Sequence, residues 1–320
     1  MTAHKPVLSL VIPIYNEADD LVHFHASLVQ VLQSLRPEVS YEIIYCDDGS
    51  SDASAAILTE IADKDTSVKT ILLSRNFGKE SALSAGITYA TGEAIITLDG
   101  DGQHPVELIP KFIAAWKDGA QVVVGIRKSS NGSLLKKVES KLFYSFFNSL
   151  SSQKLIPQST DFRLIDQAVR EEFLKLDESN RITRGLIDWL GFKRAYINFV
   201  PKDRVGGQPG YSQRKLIQLA MNSVVSLSPR PLYLLGYLGV LLTVLALVVG
   251  MTVIVEQIIM HDPLMLRITG TAMLGILLLF FVGIILISQG ILAIYISHIH
   301  TESKKRPLYI IDRARSKRIE

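Results

Sequence analysis

Nine residues, TLDGDGQHP at positions 97–105, place two aspartates one residue apart directly after the apolar run Ala94-Ile95-Ile96. Alternation along a strand puts residues i and i+2 on one side, so Asp99 and Asp101 are expected to share a face and to hold one cation between them. Their hard oxygens suit Mg2+ or Mn2+, ions that keep some waters and complete their shell with substrate phosphates. Gly100 between them lets the backbone approach closely. A lone DxD is more often a solvated Asp-Gly turn, and only its surroundings argue otherwise.

Those surroundings are four strand ends. Short β-branched apolar runs at 7–14, 41–46, 69–73, 94–98 and 121–125 alternate with helical patterns at 19–35, 54–62 and 79–90. This alternation predicts an α/β fold with a doubly wound, mainly parallel sheet, which binds ligands beyond the carboxyl ends of its strands. PIYNE (13–17), DDGSSD (47–52), SRNFGKE (74–80) and DGDGQHP (99–105) follow the first four strands and converge on one rim. There Tyr15 can stack on a flat ring, and Glu17 and Asp48 can accept from a base and a ribose. A nucleotide diphosphate held in this way extends to the cation. The chain contains no GxxxxGK[ST] and no GxGxxG, which argues against a P-loop NTPase or a dinucleotide-binding dehydrogenase.

Composition adds a membrane. Of 320 residues 48% are hydrophobic and the mean hydropathy is +0.26, an excess concentrated in two uncharged runs at about 232–255 and 268–297. Each exceeds the ~20 residues that a helix needs to cross a bilayer. Neither lies near Met1, so neither reads as a signal peptide. Arg214, Lys215 and Arg230 precede the first run and Lys304, Lys305, Arg306, Arg313, Arg315, Lys317 and Arg318 follow the second, whereas the connecting loop holds Arg267. That asymmetry predicts a multi-pass protein of the cell's inner membrane with both termini cytoplasmic.

The expected organisation is a catalytic domain at 1–212, an interfacial amphipathic helix at 213–230, two transmembrane helices within 231–298, and a basic cytoplasmic tail at 299–320 that meets anionic lipid. A second amphipathic segment, 133–150, covers either the core or the interface. His298 and His300 read as solvated interfacial residues. The only cysteine, Cys46, excludes an internal disulfide and reads as core packing. No nucleic-acid motif accompanies the net charge of +3. A homo-oligomer is left open.

VIPIYNE, DDGSSD, RNFGKESALSAG, TLDGDGQHP, VVGIRK and TDFRL, followed by two C-terminal apolar runs, resemble the family 2 glycosyltransferases that act on polyprenyl phosphates, including the dolichol-phosphate mannose synthases and the bactoprenol glucosyltransferases. The resemblance spans nearly the whole chain. It implies a GT-A fold, Mg2+ or Mn2+, a nucleotide-sugar donor, UDP-hexose by preference, and undecaprenyl phosphate as acceptor. By the same resemblance Pro13, Tyr15, Glu17 and Asp48 bind the nucleoside, and Asp99, Asp101 and Gln103 bind the metal and diphosphate. Arg127 and Arg163 hold the acceptor phosphate, Asp161 is a base or orienting carboxylate, and Arg204 contacts the donor diphosphate.

One departure stands out. Relatives often read GxSKYS where this chain has GQPGYS at 207–212, so a serine and a lysine are absent and Arg204 or Lys202 is left to carry charge. A phosphomonoester acceptor with a second pKa near ~6 is largely dianionic at neutral pH, so Asp161 is expected to orient Arg163 and the acceptor more than to remove a proton. Two other classes compete: a processive polysaccharide synthase, weakened by the small number of apolar runs and the lack of a QxxRW-type motif, and a membrane-tethered nucleotide-binding protein without turnover.

Overall fold

The computed structural model describes residues 7–128, 158–178, 181–201, 237, 241, 244, 248 and 270–319. Seven strands form one sheet in the order β3-β2-β1-β4-β6-β5-β7. They are β1 (Leu8–Ile14), β2 (Tyr41–Asp47), β3 (Val68–Leu72), β4 (Ala94–Thr97), β5 (Val122–Arg127), β6 (Ser159–Asp166) and β7 (Arg194–Phe199). All run parallel except β6, which is antiparallel to both β4 and β5. The sheet is therefore mixed, of GT-A-like α/β type. The first five strands and first three helices fall within a few residues of the sequence expectation, whereas β6, β7 and the helices at 109–117, 167–174 and 183–189 were not legible.

Helices cover both faces, which is why β1 and β2 are buried almost throughout and read as continuous apolar runs. On one face α1 (Ala18–Ser34) turns Leu21, Phe24, Leu28 and Leu32 onto Leu8, Leu10, Ile12 and Ile43, beside α2 (Ser54–Lys64) and α4 (Ile109–Lys117). On the other, α3 (Lys79–Tyr89), α5 (Gln167–Leu174) and α6 (Thr183–Trp189) pack on Val11, Ile44, Cys46, Val122 and Ile165. The approach of α3 to the sheet is close. A Cβ at Gly86 would stand 2.2 Å from Val11 Cγ1 and 2.8 Å from Cys46 Sγ. Cys46 is buried and free, as core packing requires.

The C-terminal residues correct the expected domain boundary. Residues 305–320 belong to the same compact unit as the sheet rather than to a separate tail. Leu73 bridges Ile311 and Thr70 bridges Lys317 in antiparallel sense, with Thr70 and Lys317 exchanging both backbone hydrogen bonds at 3.2 and 3.0 Å. Tyr309, Ile311 and Ile319 join the second core face. Arg318 donates to the carbonyls of Ala62 (2.6 Å), Asp65 (3.2 Å) and Val68 (2.7 Å), and Lys317 pairs with Asp63 at 3.2 Å. These two cations were expected at anionic lipid; instead they hold the segment onto the edge strand β3.

The second unit is represented mainly by α7 (Gly270–Ser303), 34 residues long and thus about 50 Å. Its stretch Phe281–Ser303 is, among the described residues, the one helical segment apolar and long enough to cross a bilayer. Leu278, Val282, Ile285, Ile287 and Ile296 stand exposed along it. The expected first span (232–255), apart from helical Tyr237, Leu241, Val244 and Val248, lies outside the described residues, as do the amphipathic segments at 133–150 and 213–230.

If residues 308–320 are a structural edge, truncation after Pro307 bares the backbone groups of β3 and part of the second core face. Thermal denaturation of the truncated protein is expected to show a Tm lower by roughly 5 °C or more, on the scale of 2–4 °C per kcal/mol for a unit of this size. An unchanged Tm contradicts this role.

Candidate active site

The parallel run of β1 to β4 brings their carboxyl ends to one rim, and antiparallel β6 begins at the same rim, where Thr97 pairs with Arg163 in register. The loops there are stitched to one another. Asn16 N–H donates to Ser50 Oγ (2.9 Å), Glu17 N–H to Ser54 Oγ (3.0 Å), Ala18 N–H to Asp52 Oδ2 (3.2 Å), and Ser51 N–H to Asn16 Oδ1 (2.9 Å). The Ser and Asp residues of DDGSSD are thus used to fix PIYNE. Gly49 adopts φ +67°, and a Cβ there would meet the backbone of Arg75 at 2.4 Å. No side chain fits between these loops.

β4 stops at Thr97, so Asp99 and Asp101 lie in the turn beyond it and strand alternation is not what sets their relationship. The turn is held in three ways. The Asp99 backbone N–H donates to His104 Nδ1 at 3.0 Å, Gln103 N–H donates to Asp101 Oδ1 at 3.1 Å, and Gly102 takes φ +71°. His104 is buried, stacked on Phe162 with ring centroids 5.2 Å apart and edge-on to Phe199. Burial holds its pKa below the ordinary histidine value, despite the pull of Asp99 and Asp101. Accepting at Nδ1 is what a neutral ring protonated on Nε2 does. A Cβ at Gly100 would lie 2.5 Å from Ile14 Cδ1, which accounts for the glycine between the two aspartates.

A lysine joins these carboxylates. Lys79 Nζ, at the start of α3, lies 2.5 Å from Asp99 Oδ1 and 2.6 Å from Asp161 Oδ2. Desolvation pulls Lys79 down, but Asp99 and then Asp161 more than reverse it and raise its pKa. Burial likewise pushes the Asp161 carboxyl up, and the Lys79 charge and hydrogen bond overcome it, leaving Asp161 below the usual range. Its backbone is fixed as well, since Thr97 Oγ1 donates to the Asp161 carbonyl at 2.5 Å. Next along α3, Glu80 accepts from Thr183 N–H at 2.8 Å, tying the start of α6 to the same rim.

The expected site residues divide accordingly. Tyr15, 47% exposed, Glu17 and Pro13 stand at the end of β1, and Arg127 is exposed at the end of β5 on the rim shared with β4. Arg163 is a correction. It is 1% exposed and binds Asp188 through two nitrogens, at 2.8 and 3.3 Å, while donating to the carbonyls of Thr160 and Arg184. Its fork is committed to closing α6 against β6, so it is not available to a lipid phosphate, and Asp161 orients Lys79 instead. Asp48 is 3% exposed, and its carboxylate accepts from Phe77 N–H (2.7 Å) and Gly78 N–H (2.9 Å), which shapes the RNFGKE loop. Arg204 and Lys202 lie outside the described residues.

Sequence reasoning missed three residues: Lys79, quoted only as part of a motif; His104; and Arg184, exposed on α6 and close enough to Asp161 to help lower its pKa. Only the cluster HP after the DxD and the basic residue in RNFGKE signalled them.

A divalent cation fits the donor chemistry here. Asp99, Asp101 and Gln103 offer only oxygen, and the ammonium already seated on Asp99 marks a place where positive charge is stabilised. Among the described residues no group of three or more His, Cys, Asp or Glu side chains is placed to hold a metal ion. An ion on Asp99 and Asp101 would need further ligands from water or from a substrate's phosphates.

The described geometry is a mixed α/β sheet with an acidic turn and a lysine at its carboxyl rim. The chain belongs to glycosyl transferase family 2, whose pattern it matches over residues 9–174. Over 95% of its length it is 37% identical to an uncharacterised glycosyltransferase, sll0501, of Synechocystis, covering 94% of that protein. It is 35% identical to the bactoprenol glucosyl transferase of Shigella phage SfV, over 97% of this chain and 99% of that one, and equally so to a prophage bactoprenol glucosyl transferase homolog of Escherichia coli, over 96% and 99%. The protein is a glycosyltransferase.

Removing one partner of a buried ion pair costs about 3–5 kcal/mol. Asp188→Ala is therefore expected to lower Tm by roughly 10 °C or more, and Arg163→Ala to do the same. A normal Tm with impaired lipid binding would restore Arg163 to the acceptor site.

Proposed function

We propose that this protein transfers a hexose, with inversion, from a nucleotide sugar, UDP-hexose by preference, to undecaprenyl or another polyprenyl phosphate, giving a lipid-linked sugar monophosphate. The observation that carries the reading is the convergence of Asp99, Asp161 and Lys79 at the rim where β1 and β5 present Tyr15 and Arg127. The names of the bactoprenol relatives support the acceptor.

In this reading Tyr15 stacks on the base, with Glu17 and Pro13 beside the nucleoside. Asp99, Asp101 and Gln103 would hold Mg2+ or Mn2+, which when bound supplies Lewis-acid neutralisation of the leaving diphosphate. Arg204 contributes charge to the same diphosphate. Arg127, with Arg184 in place of Arg163, grips the acceptor phosphate; the planar guanidinium fork matches its oxygens. The nucleophile is a phosphate oxygen that is already largely dianionic at neutral pH. Asp161, whose pKa is lowered, is a poor proton acceptor and serves to hold Lys79.

Membrane attachment follows from the same lipid. Each CH2 of a polyprenyl chain taken into water costs ~0.8 kcal/mol, so the enzyme works at the bilayer surface. Because residues 308–319 dock on β3, the polypeptide after α7 and the unit before the apolar runs must lie on one side of the membrane. That requires an even number of crossings and supports a hairpin of spans 232–255 and 268–297, with both termini cytoplasmic.

Purified protein given undecaprenyl phosphate, Mg2+ or Mn2+ and a panel of nucleotide sugars is expected to form one chloroform-soluble sugar phosphate. No product from any donor sinks the reading. In that assay Arg127→Ala is expected to raise KM for the lipid about tenfold while leaving KM for the donor near wild type. Asp161→Asn is expected to slow turnover without removing the low-pH limb of the rate profile; loss of that limb identifies Asp161 as a general base.

A further inference from the structure

Lys79 is an unusual first residue for a helix. The N-terminal end of α3 carries the positive pole of the helix dipole, where cations are disfavoured. Both neighbours that compensate it come from distant segments: Asp99 from the turn after β4 and Asp161 from the start of β6. The Lys79 side chain as a whole is 43% exposed, so its stem is not locked in the core. Its long stem allows it to swing, and an ammonium has N–H groups beyond the one donated to Asp161.

We propose that Lys79 is the resident counter-ion of the acidic turn: it competes with a divalent cation for Asp99, and is drawn off by the phosphates of an arriving nucleoside diphosphate while it keeps its hold on Asp161. This rests on the reading of Asp99 and Asp101 as the diphosphate–metal site and adds an order of events to it. The charges make the case. Lys79 is shared between Asp99 and Asp161, and the charge of Arg184 also bears on Asp161, so Asp99 depends on Lys79 for its counter-charge among the described ion pairs. A divalent ion entering alone must displace Lys79 from Asp99 or sit beside its positive charge.

A diphosphate removes the conflict. Its oxygens accept from the freed ammonium and ligate the ion at once, so ion and diphosphate each raise the other's affinity, as linkage requires. Lys79 thereby acts as a positioning residue. It keeps the site from filling with metal in the absence of donor, and it carries Asp161 toward the diphosphate as the donor binds.

The test is direct metal binding, with no turnover. Free Mn2+ is followed by electron paramagnetic resonance as full-length protein is titrated, without nucleotide and with saturating UDP, with GDP in parallel. Wild type is expected to bind Mn2+ weakly alone and at least tenfold more tightly with the diphosphate. Lys79→Gln is expected to bind Mn2+ alone about tenfold more tightly than wild type, with the diphosphate enhancement reduced by a similar factor. Lys79→Arg, which keeps the charge, is expected to resemble wild type, and Lys79→Met to resemble Lys79→Gln. If the neutral variants bind Mn2+ alone no more tightly than wild type, while wild type still responds to a diphosphate, the counter-ion role is overturned and the site assignment stands. If wild type binds no Mn2+ with either nucleotide, the site assignment itself fails and this inference with it.

Discussion

Like charges crowded at the end of a sheet repel: two carboxylates 4 Å apart in a medium of effective dielectric about 20 oppose each other by roughly 4 kcal/mol. Among the described residues, the ammonium of Lys79 is what bridges them, with Arg184 beside Asp161. Lys79 reaches Asp99 on one side and Asp161 on the other, joining the start of α3, the turn after β4 and the first residues of β6. Nothing in the chain makes these segments neighbours except the fold.

The rest of the unit serves that junction. Antiparallel β6 is what delivers Asp161 to the carboxyl rim, since a parallel strand in its place would bring its other end there. The buried Arg163–Asp188 pair then seats α6, and with it Thr183 against Glu80 and Arg184 beside Asp161. His104, neutral and wedged between Phe162 and Phe199, fixes the backbone of Asp99. At the far edge, residues 310–317 lie along β3 through two isolated antiparallel bridges. The segment that follows α7 belongs to the same compact unit as the sheet, and it covers part of the edge strand.

How far this could be read from the sequence depended on the range of the interaction. The first four strands were legible because burial on both faces gives continuous apolar runs, as in VIPI and YEIIYC. The convergence of their polar loops followed from the parallel order. The acidic turn was found, yet the reason given for its geometry was wrong, because β4 ends two residues before Asp99. Arg163 was misread because a phosphate-binding arginine and a buried structural one look alike in TDFRL; the partner that decides between them, Asp188, lies 25 residues on in a segment with no strong pattern. The contacts of Asp48 were not legible either, since its backbone partners Phe77 and Gly78 lie about 30 residues on in another loop. The docking of Ile311, Lys317 and Arg318 was hidden by the basic residues among them, which look like a membrane-surface tail until their carbonyl partners at 62–68 are known.

The central claim is that a divalent cation and a nucleoside diphosphate meet at the acidic turn. Anomalous diffraction from crystals grown with Mn2+ and UDP tests it most directly. The account predicts one strong manganese peak at coordination distance, about 2.1–2.2 Å, from carboxylate oxygen of Asp99 or Asp101 and from both phosphates of the nucleotide. A diphosphate bound at this rim with no manganese on either aspartate, or a manganese–diphosphate complex seated elsewhere, contradicts it.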